Sequence, residues 1–330
     1  MRVLALVLLL LVPNALNAQS APRWLIGGED DVESQLGRFR DVVALPRRFV
    51  VLEGDAPFLK VFSYDGKLIQ SLGRAGGGPG EFRTPSALTL DSHRGRLLVV
   101  DAANARVTVF TIGDTLAAPR YLALEDIGIQ SICVLGDRLF GLARNAPTLL
   151  RELKEEPTRL TVIASFGEPR TDHRFGTHPF VRSYASNGPL ACDAGSNHII
   201  VASSVLGEVH VLDAETRAQT TARIPGFDRL TITVDDKSMT MAPPDGGFDA
   251  TLAFVHLDDA LYVVAERSDA GSGGPPASLG FKTASIGPKG PGPLSALRRW
   301  RPLAQVAGGT LCAVSDPAPT IGFFSNSACR

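Results

Sequence analysis

This chain has no surplus of charge of either sign. Its 330 residues carry 33 Lys and Arg against 34 Asp and Glu, a formal net charge of −1. A nucleic-acid partner normally demands a basic surplus, so that class is excluded. Nothing in the balance draws the chain to an anionic membrane either. Long amphipathic stretches are also missing: 33 Gly and 23 Pro punctuate the sequence and point to many turns and few long helices. Cys-x-x-Cys pairs are absent, which removes zinc-ribbon and thioredoxin-type readings. The four cysteines, Cys133, Cys192, Cys312 and Cys329, are scattered. Cys133 and Cys312 fall within strand-like runs and read as small buried hydrophobes. The disulfide pairing of the four is left open.

Beyond its first residues the chain has no run apolar enough to cross a membrane. Those first residues have the order of a secretory leader: Arg2, an unbroken apolar stretch Val3–Val12, then Pro13-Asn14 and small residues to Ala18. The stretch is too short to span a bilayer comfortably. Residues 1–18 are expected to be a signal peptide and 19–330 a single domain. The mature chain is expected to be soluble and exported, periplasmic or extracellular.

One unit repeats: a turn followed by a short, almost wholly apolar strand. It occurs at Arg48–Leu52, Arg96–Val100, Arg138–Leu142, His198–Ala202, Ala260–Val264 and Thr310–Val314. The spacing is roughly 40 to 60 residues, that of propeller blades. More alternating strands trail four of them, at Val61–Gly66, Val107–Phe110, Val209–Asp213 and Ile321–Phe324. Ser-x-Gly strand exits close three repeats, at Ser71–Gly73, Ser165–Gly167 and Ser285–Gly287. Strands apolar on both faces must be covered on both faces. With no helices for the task, short antiparallel sheets stacked around an axis do it. The fold class expected is all-β: a six-bladed β-propeller of four-stranded antiparallel blades. Trp24-Leu25-Ile26-Gly27 precedes the first repeat and the sixth ends soon after Phe324. An N-terminal strand completing the last blade would close the ring and remove a sheet edge.

The residues Val61–Lys67, Ser71–Gly73, Gly78-Pro79-Gly80-Glu81-Phe82 and Pro85 resemble NHL-repeat propellers. Leu98–Val107, with Asp101, Asn104 and Arg106, follows their strand-Asp-x-x-Asn-x-Arg-strand pattern. The chain resembles the bacterial secreted proteins called six-bladed β-propellers, most strongly over residues 24–112 and poorly over 266–305. There Gly271–Pro276 stands where an outer strand should begin. The resemblance implies the fold and no reaction.

Candidate chemistry is sparse. Gly76–Gly80 lacks the Lys-Ser/Thr and the helix of a phosphate loop, and reads as an interblade loop. Asp101, Asn104 and Arg106 read as structural turn residues. Asp172, His173 and His178 share a loop without the pattern of a metal site, and no metal or other cofactor is expected. Arg298–Arg301 reads as a solvated edge with Trp300 buried. No nucleophile elbow or catalytic residue is recognisable. Three interblade connections are long, 73–85, 167–182 and 225–250. Long loops on a rigid scaffold concentrate binding residues. Arg74, Glu81, Asp172, His173, Arg174, His178 and Arg182 are the expected contacts. The function expected is a monomeric, non-catalytic scaffold for a protein, peptide or glycan. The alternative is a lactonase-like hydrolase or lyase, metal-assisted or not, acting at the channel mouth.

Overall fold

In the computed structural model each of the six apolar runs is the second strand of an antiparallel blade. Residues 21–27, 35–37, 39–144, 147–169, 187–234, 239–269, 278–287, 290–314, 318–325 and 329 are described. β1 (Trp24–Gly27) stands apart from the first blade. Blade 1 comprises β2 (Phe39–Leu45), β3 (Arg48–Glu53), β4 (Leu59–Ser63) and β5 (Leu68–Leu72). The short parallel pair β6 (Arg74–Ala75) and β7 (Glu81–Phe82) follows. Blade 2 is β8 (Pro85–Asp91), β9 (Arg96–Asp101), β10 (Arg106–Ile112) and β11 (Leu116–Leu124). Blade 3 is β12 (Ile129–Leu135), β13 (Arg138–Ala143), β14 (Leu150–Glu155) and β15 (Arg159–Phe166). Blade 4 is β16 (Leu190–Asp193), β17 (His198–Ala202), β18 (Glu208–Asp213) and β19 (Gln219–Arg223). A hairpin of β20 (Thr231–Val234) and β21 (Met239–Ala242) leads to blade 5. That blade contains β22 (Phe248–Leu257), β23 (Ala260–Ser268), β24 (Ser278–Gly287) and the two-residue β25 (Gly290–Pro291). Blade 6 contains β26 (Arg301–Val306), β27 (Gly309–Val314) and β28 (Thr320–Phe324).

The ring closes as expected. β1 is the fourth strand of blade 6, antiparallel to β28, with Trp24 opposite Phe323. Trp24 stacks on Phe323 (5.7 Å) and on Phe49 of blade 1 (6.0 Å), and its indole N–H donates to the Tyr64 carbonyl (2.8 Å). One residue thus ties the last blade to the first.

The second strands are apolar on both faces because each is sandwiched between neighbouring blades. Phe49 and Val51 pack toward blade 6, with Leu311 and Phe323. Val50 and Leu52 pack toward Leu97 and Val99 of blade 2. Similar buried clusters fill the seams between blades 2 and 3, 3 and 4, and 4 and 5. β11 and β15 also pair in parallel over two residues, stitching the rims of blades 2 and 3.

Two expectations change. The cysteines are disulfide-bonded, Cys133 to Cys192 and Cys312 to Cys329. Cys133 on β12 meets Cys192 on β16, 59 residues away, because the innermost strands of neighbouring blades run side by side. Ser285–Gly287 ends the third strand of its blade, whereas Ser71-Leu72 and Ser165-Phe166 end fourth strands. Gly271–Pro276, expected at the start of an outer strand, falls between β23 and β24 in the chain and lies outside the described residues.

Candidate functional site at the channel mouth

Five innermost strands share a local irregularity. Pairing with the second strand skips one residue in β2 (Arg40), β8 (Ser86), β12 (Gln130), β22 (Leu252) and β26 (Leu303). Such bulges re-aim side chains and sharpen twist, and they recur at barrel rims and beside binding sites. All five lie in the first half of the strand, at the end where the chain enters from the preceding blade. Here that level is where the ring opens into a cavity of about 580 Å³. Its wall comes from blades 1 to 5 and includes four of the five bulge residues, Arg40, Ser86, Gln130 and Leu252. Arg144 and Ser204 reach it from the turns after β13 and β17, and Asn187 and Gly188 from just before β16.

Adjacent innermost strands are held together by side chains. The Arg40 guanidinium donates to the Pro85 carbonyl (3.2 Å) and the Ser86 hydroxyl to the Gln130 carbonyl (2.6 Å), while the Thr251 hydroxyl of β22 donates to the Ser203 carbonyl (2.9 Å) just after β17, the second strand of blade 4. Asp41 does the same with a carboxylate: it accepts the N–H of Leu88 (2.8 Å) on Oδ2 and of Val42 (2.9 Å) on Oδ1. Burial pushes its carboxyl up to about 6, against the pull of these amides and of the Arg301 guanidinium. Arg301 is itself buried at the start of β26, in the fields of Asp41 and Glu266. Among the described residues lining the cavity, Asp41 is the sole carboxylate. No cluster of three His, Cys, Asp or Glu with metal-binding geometry occurs among the described residues.

Asp101, Asn104 and Arg106 clasp the incoming interblade loop. Asp101, fully buried, accepts the N–H groups of Arg83 (3.2 Å) and Thr84 (2.9 Å). Asn104 donates to Asp101 (2.6 Å) and to the Gly76 carbonyl (2.9 Å). Arg106 donates to the carbonyls of Gly77 (3.0 Å), Gly78 (3.1 Å) and Glu81, and lies over the Tyr121 ring. Their reach is therefore wider than one turn. The Gly76–Gly80 loop they hold is the interblade loop expected. A Cβ at Gly76, where φ is +148°, would fall 2.2 Å from Glu81 Oε2, so the loop requires glycine there. Similar carboxylates hold three other interblade connections. Glu53 accepts the N–H of Gly37 (3.0 Å) and pairs with Lys60. Asp126 accepts that of Gly128 (2.9 Å) and pairs with Arg151. Asp249 accepts that of Asp228 (3.0 Å) and pairs with Lys282.

Of the expected contact residues, Glu81 lies within its own loop, accepting the N–H of Gly78 (2.8 Å) and pairing with Arg74 (3.5 Å). Arg74 is exposed. Asp172, His173, Arg174, His178 and Arg182 lie outside the described residues. Trp300 is half-buried, edge-on to Phe324 (5.2 Å), and Arg301 is buried rather than solvated. The cavity residues Arg40, Asp41, Ser86, Gln130 and Arg144 were not singled out from the sequence. A signal existed: a polar pair or residue recurs at Arg40-Asp41, Ser86 and Gln130-Ser131, just before apolar strand residues.

Comparisons with known proteins agree on the architecture. Residues 33–125 match a family model described as "6-bladed beta-propeller". No curated protein matches the chain. Among solved structures, a duf4221-family protein from Bacteroides vulgatus aligns with a TM-score of 0.55 at 6% identity, over 94% of this chain and 98% of that one. A catalytically inactive virginiamycin B lyase from Staphylococcus aureus, crystallised with quinupristin, aligns with a TM-score of 0.51 at 10% identity, over 89% and 83%. U3-55K aligns with a TM-score of 0.52 at 9% identity, over 92% and 100%. At such identities the likeness concerns the fold. The protein is a six-bladed β-propeller.

Proposed function

We propose that the protein is an exported, monomeric, non-catalytic binding scaffold whose contact surface is the face holding the channel mouth. The observation that carries this reading is the shared bulge level, which opens a cavity of about 580 Å³ on a rigid ring. Cavities of this size take small molecules or single side chains. The interblade connections enter on the same face. It therefore includes Arg74 and Glu81 and the connection bearing Asp172, His173, Arg174, His178 and Arg182. Two disulfides support export, since such bonds persist in oxidising compartments. So does the leader-like order of residues 1–18.

A second reading, a hydrolase or lyase at the channel mouth, is favoured by Asp41, a carboxyl raised to about 6 in a cavity wall. Against it, both Asp41 oxygens are occupied by backbone amides, the arrangement of a strut.

The test is a plug. Asn187→Trp narrows the cavity, and His93→Trp places the same bulk on an exposed turn at the opposite end of β8. Pull-downs from the native extracytoplasmic fraction should lose their partner with Asn187→Trp and keep it with His93→Trp. Retention by both, with melting unchanged, overturns the scaffold reading at this face. Turnover in a lactone and ester screen, abolished by Asp41→Asn, would establish the second.

A further inference from the structure

Resting on that reading, we infer that the channel mouth binds a carboxylate of a peptide, an acidic side chain or a free C-terminus flanked by aliphatic residues. Three observations converge. The first is charge: among the described residues, two guanidiniums, Arg40 and Arg144, line the cavity against one carboxylate, Asp41. Asp41 is spent internally, on the amides of Val42 and Leu88 and the field of Arg301. The wall therefore presents net positive charge to an incoming group, although the whole chain is nearly neutral.

The second is unused donor capacity. The Arg144 side chain is exposed and makes no hydrogen bond or ion pair among the described residues, in a fold where Arg96, Arg106, Arg138 and Arg151 are all engaged. Its backbone is fixed, with its N–H donating to the Gly128 carbonyl (2.9 Å). Arg40 spends one guanidinium nitrogen on the Pro85 carbonyl and forms no ion pair among the described residues. The Ser131 hydroxyl, on a cavity-lining residue, is buried without a partner. Guanidiniums favour carboxylates because two N–H groups match two oxygens.

The third is the apolar surround. Ile127 is 71% exposed, one residue before the glycine that holds Arg144. Within the cavity Val43, Leu88, Ile132, Leu190 and Phe254 alternate with the polar groups. A sugar acid presents hydroxyls on every edge and would leave these carbons against polar surface. An acidic peptide with aliphatic neighbours satisfies both halves.

The full mature chain, immobilised, is challenged with a random heptapeptide library, made once with free and once with amidated C-termini. Galacturonate is the sugar-acid probe. Selected peptides should be enriched in Asp, Glu or a free terminus beside Leu, Ile or Val. Arg144→Ala and Arg40→Ala should each weaken their binding by about tenfold or more, the loss expected for one charge-assisted contact. Arg144→Lys should restore part of it, and His93→Trp should change nothing. Selection of neutral peptides that still depend on Arg40 and the Asn187→Trp plug overturns the carboxylate inference and leaves the channel-mouth reading standing. Binding of galacturonate without peptide replaces the peptide by a glycan. Peptides indifferent to every cavity variant overturn both.

Discussion

Asp41 and Glu155 titrate with opposite consequences. Asp41 holds its proton more tightly folded than unfolded, its carboxyl rising from 3.8 to about 6 through burial. Its contribution to stability is therefore full below about pH 4 and is lost as pH rises through about 6. Glu155 is bound bidentately by Arg96 (2.9 and 2.6 Å) and also by Arg120, which lowers its carboxyl from 4.5 to about 2. That contribution is present above about pH 4.5 and fades as pH falls toward 2. Asp41→Asn should therefore abolish a loss of about 1–3 kcal/mol between pH 4 and 6 and leave the acid limb set by Glu155 in place. Urea unfolding of both proteins across pH 3–8 checks this. Parallel curves would show that Asp41 is ionised normally. Neither residue announced itself in the sequence: an Asp one position after Arg40 is an ordinary surface pair until blade 2 supplies the Leu88 amide.

At the scale of elements, β1 is the most exposed to test. Four residues join the N-terminus to β28, and Trp24 bridges blades 6 and 1 through Phe323 and Phe49. Removing residues 19–28 opens the ring and leaves the outer edge of β28 unpaired, a template for association. The deletion should unfold the protein or shift it to oligomers, as size-exclusion chromatography with light scattering would show. A monomer with unchanged melting would mean that closure is dispensable. β1 was legible beforehand because it had no partner in its own repeat and the last repeat was one strand short. Blade 5 was not. Its two-residue outer strand breaks the repeat pattern on which the reading depended, so its strand order emerged only from the pairing of β23 with β24 and of β24 with β25.

For the whole molecule, the Cys133–Cys192 disulfide acts between blades, joining the innermost strands of blades 3 and 4 over 59 residues. Closing so long a loop restricts the unfolded chain, a stabilisation of about 2–4 kcal/mol. The pair Cys133→Ala, Cys192→Ala should lower the melting temperature by several degrees, more than surface substitutions do; an unchanged midpoint in calorimetry would count against that contribution. The repeated apolar runs determined the number of blades, because a strand apolar on both faces has to be covered twice, and six such strands in a chain without long helices leave stacked sheets as the cover. The unpaired Trp24–Gly27 and the short last repeat determined how the ring closes. Which cysteines meet, which polar residues face the axis and where the channel widens were decided by tertiary structure alone. Each depends on residues from different blades: Cys133 with Cys192, Asp41 with Leu88 and Arg301, Arg40 with Arg144. Separations of 47 to 260 residues carry no local pattern, since the angle between blades and the level of each bulge set those distances, and both arise only once the ring has packed.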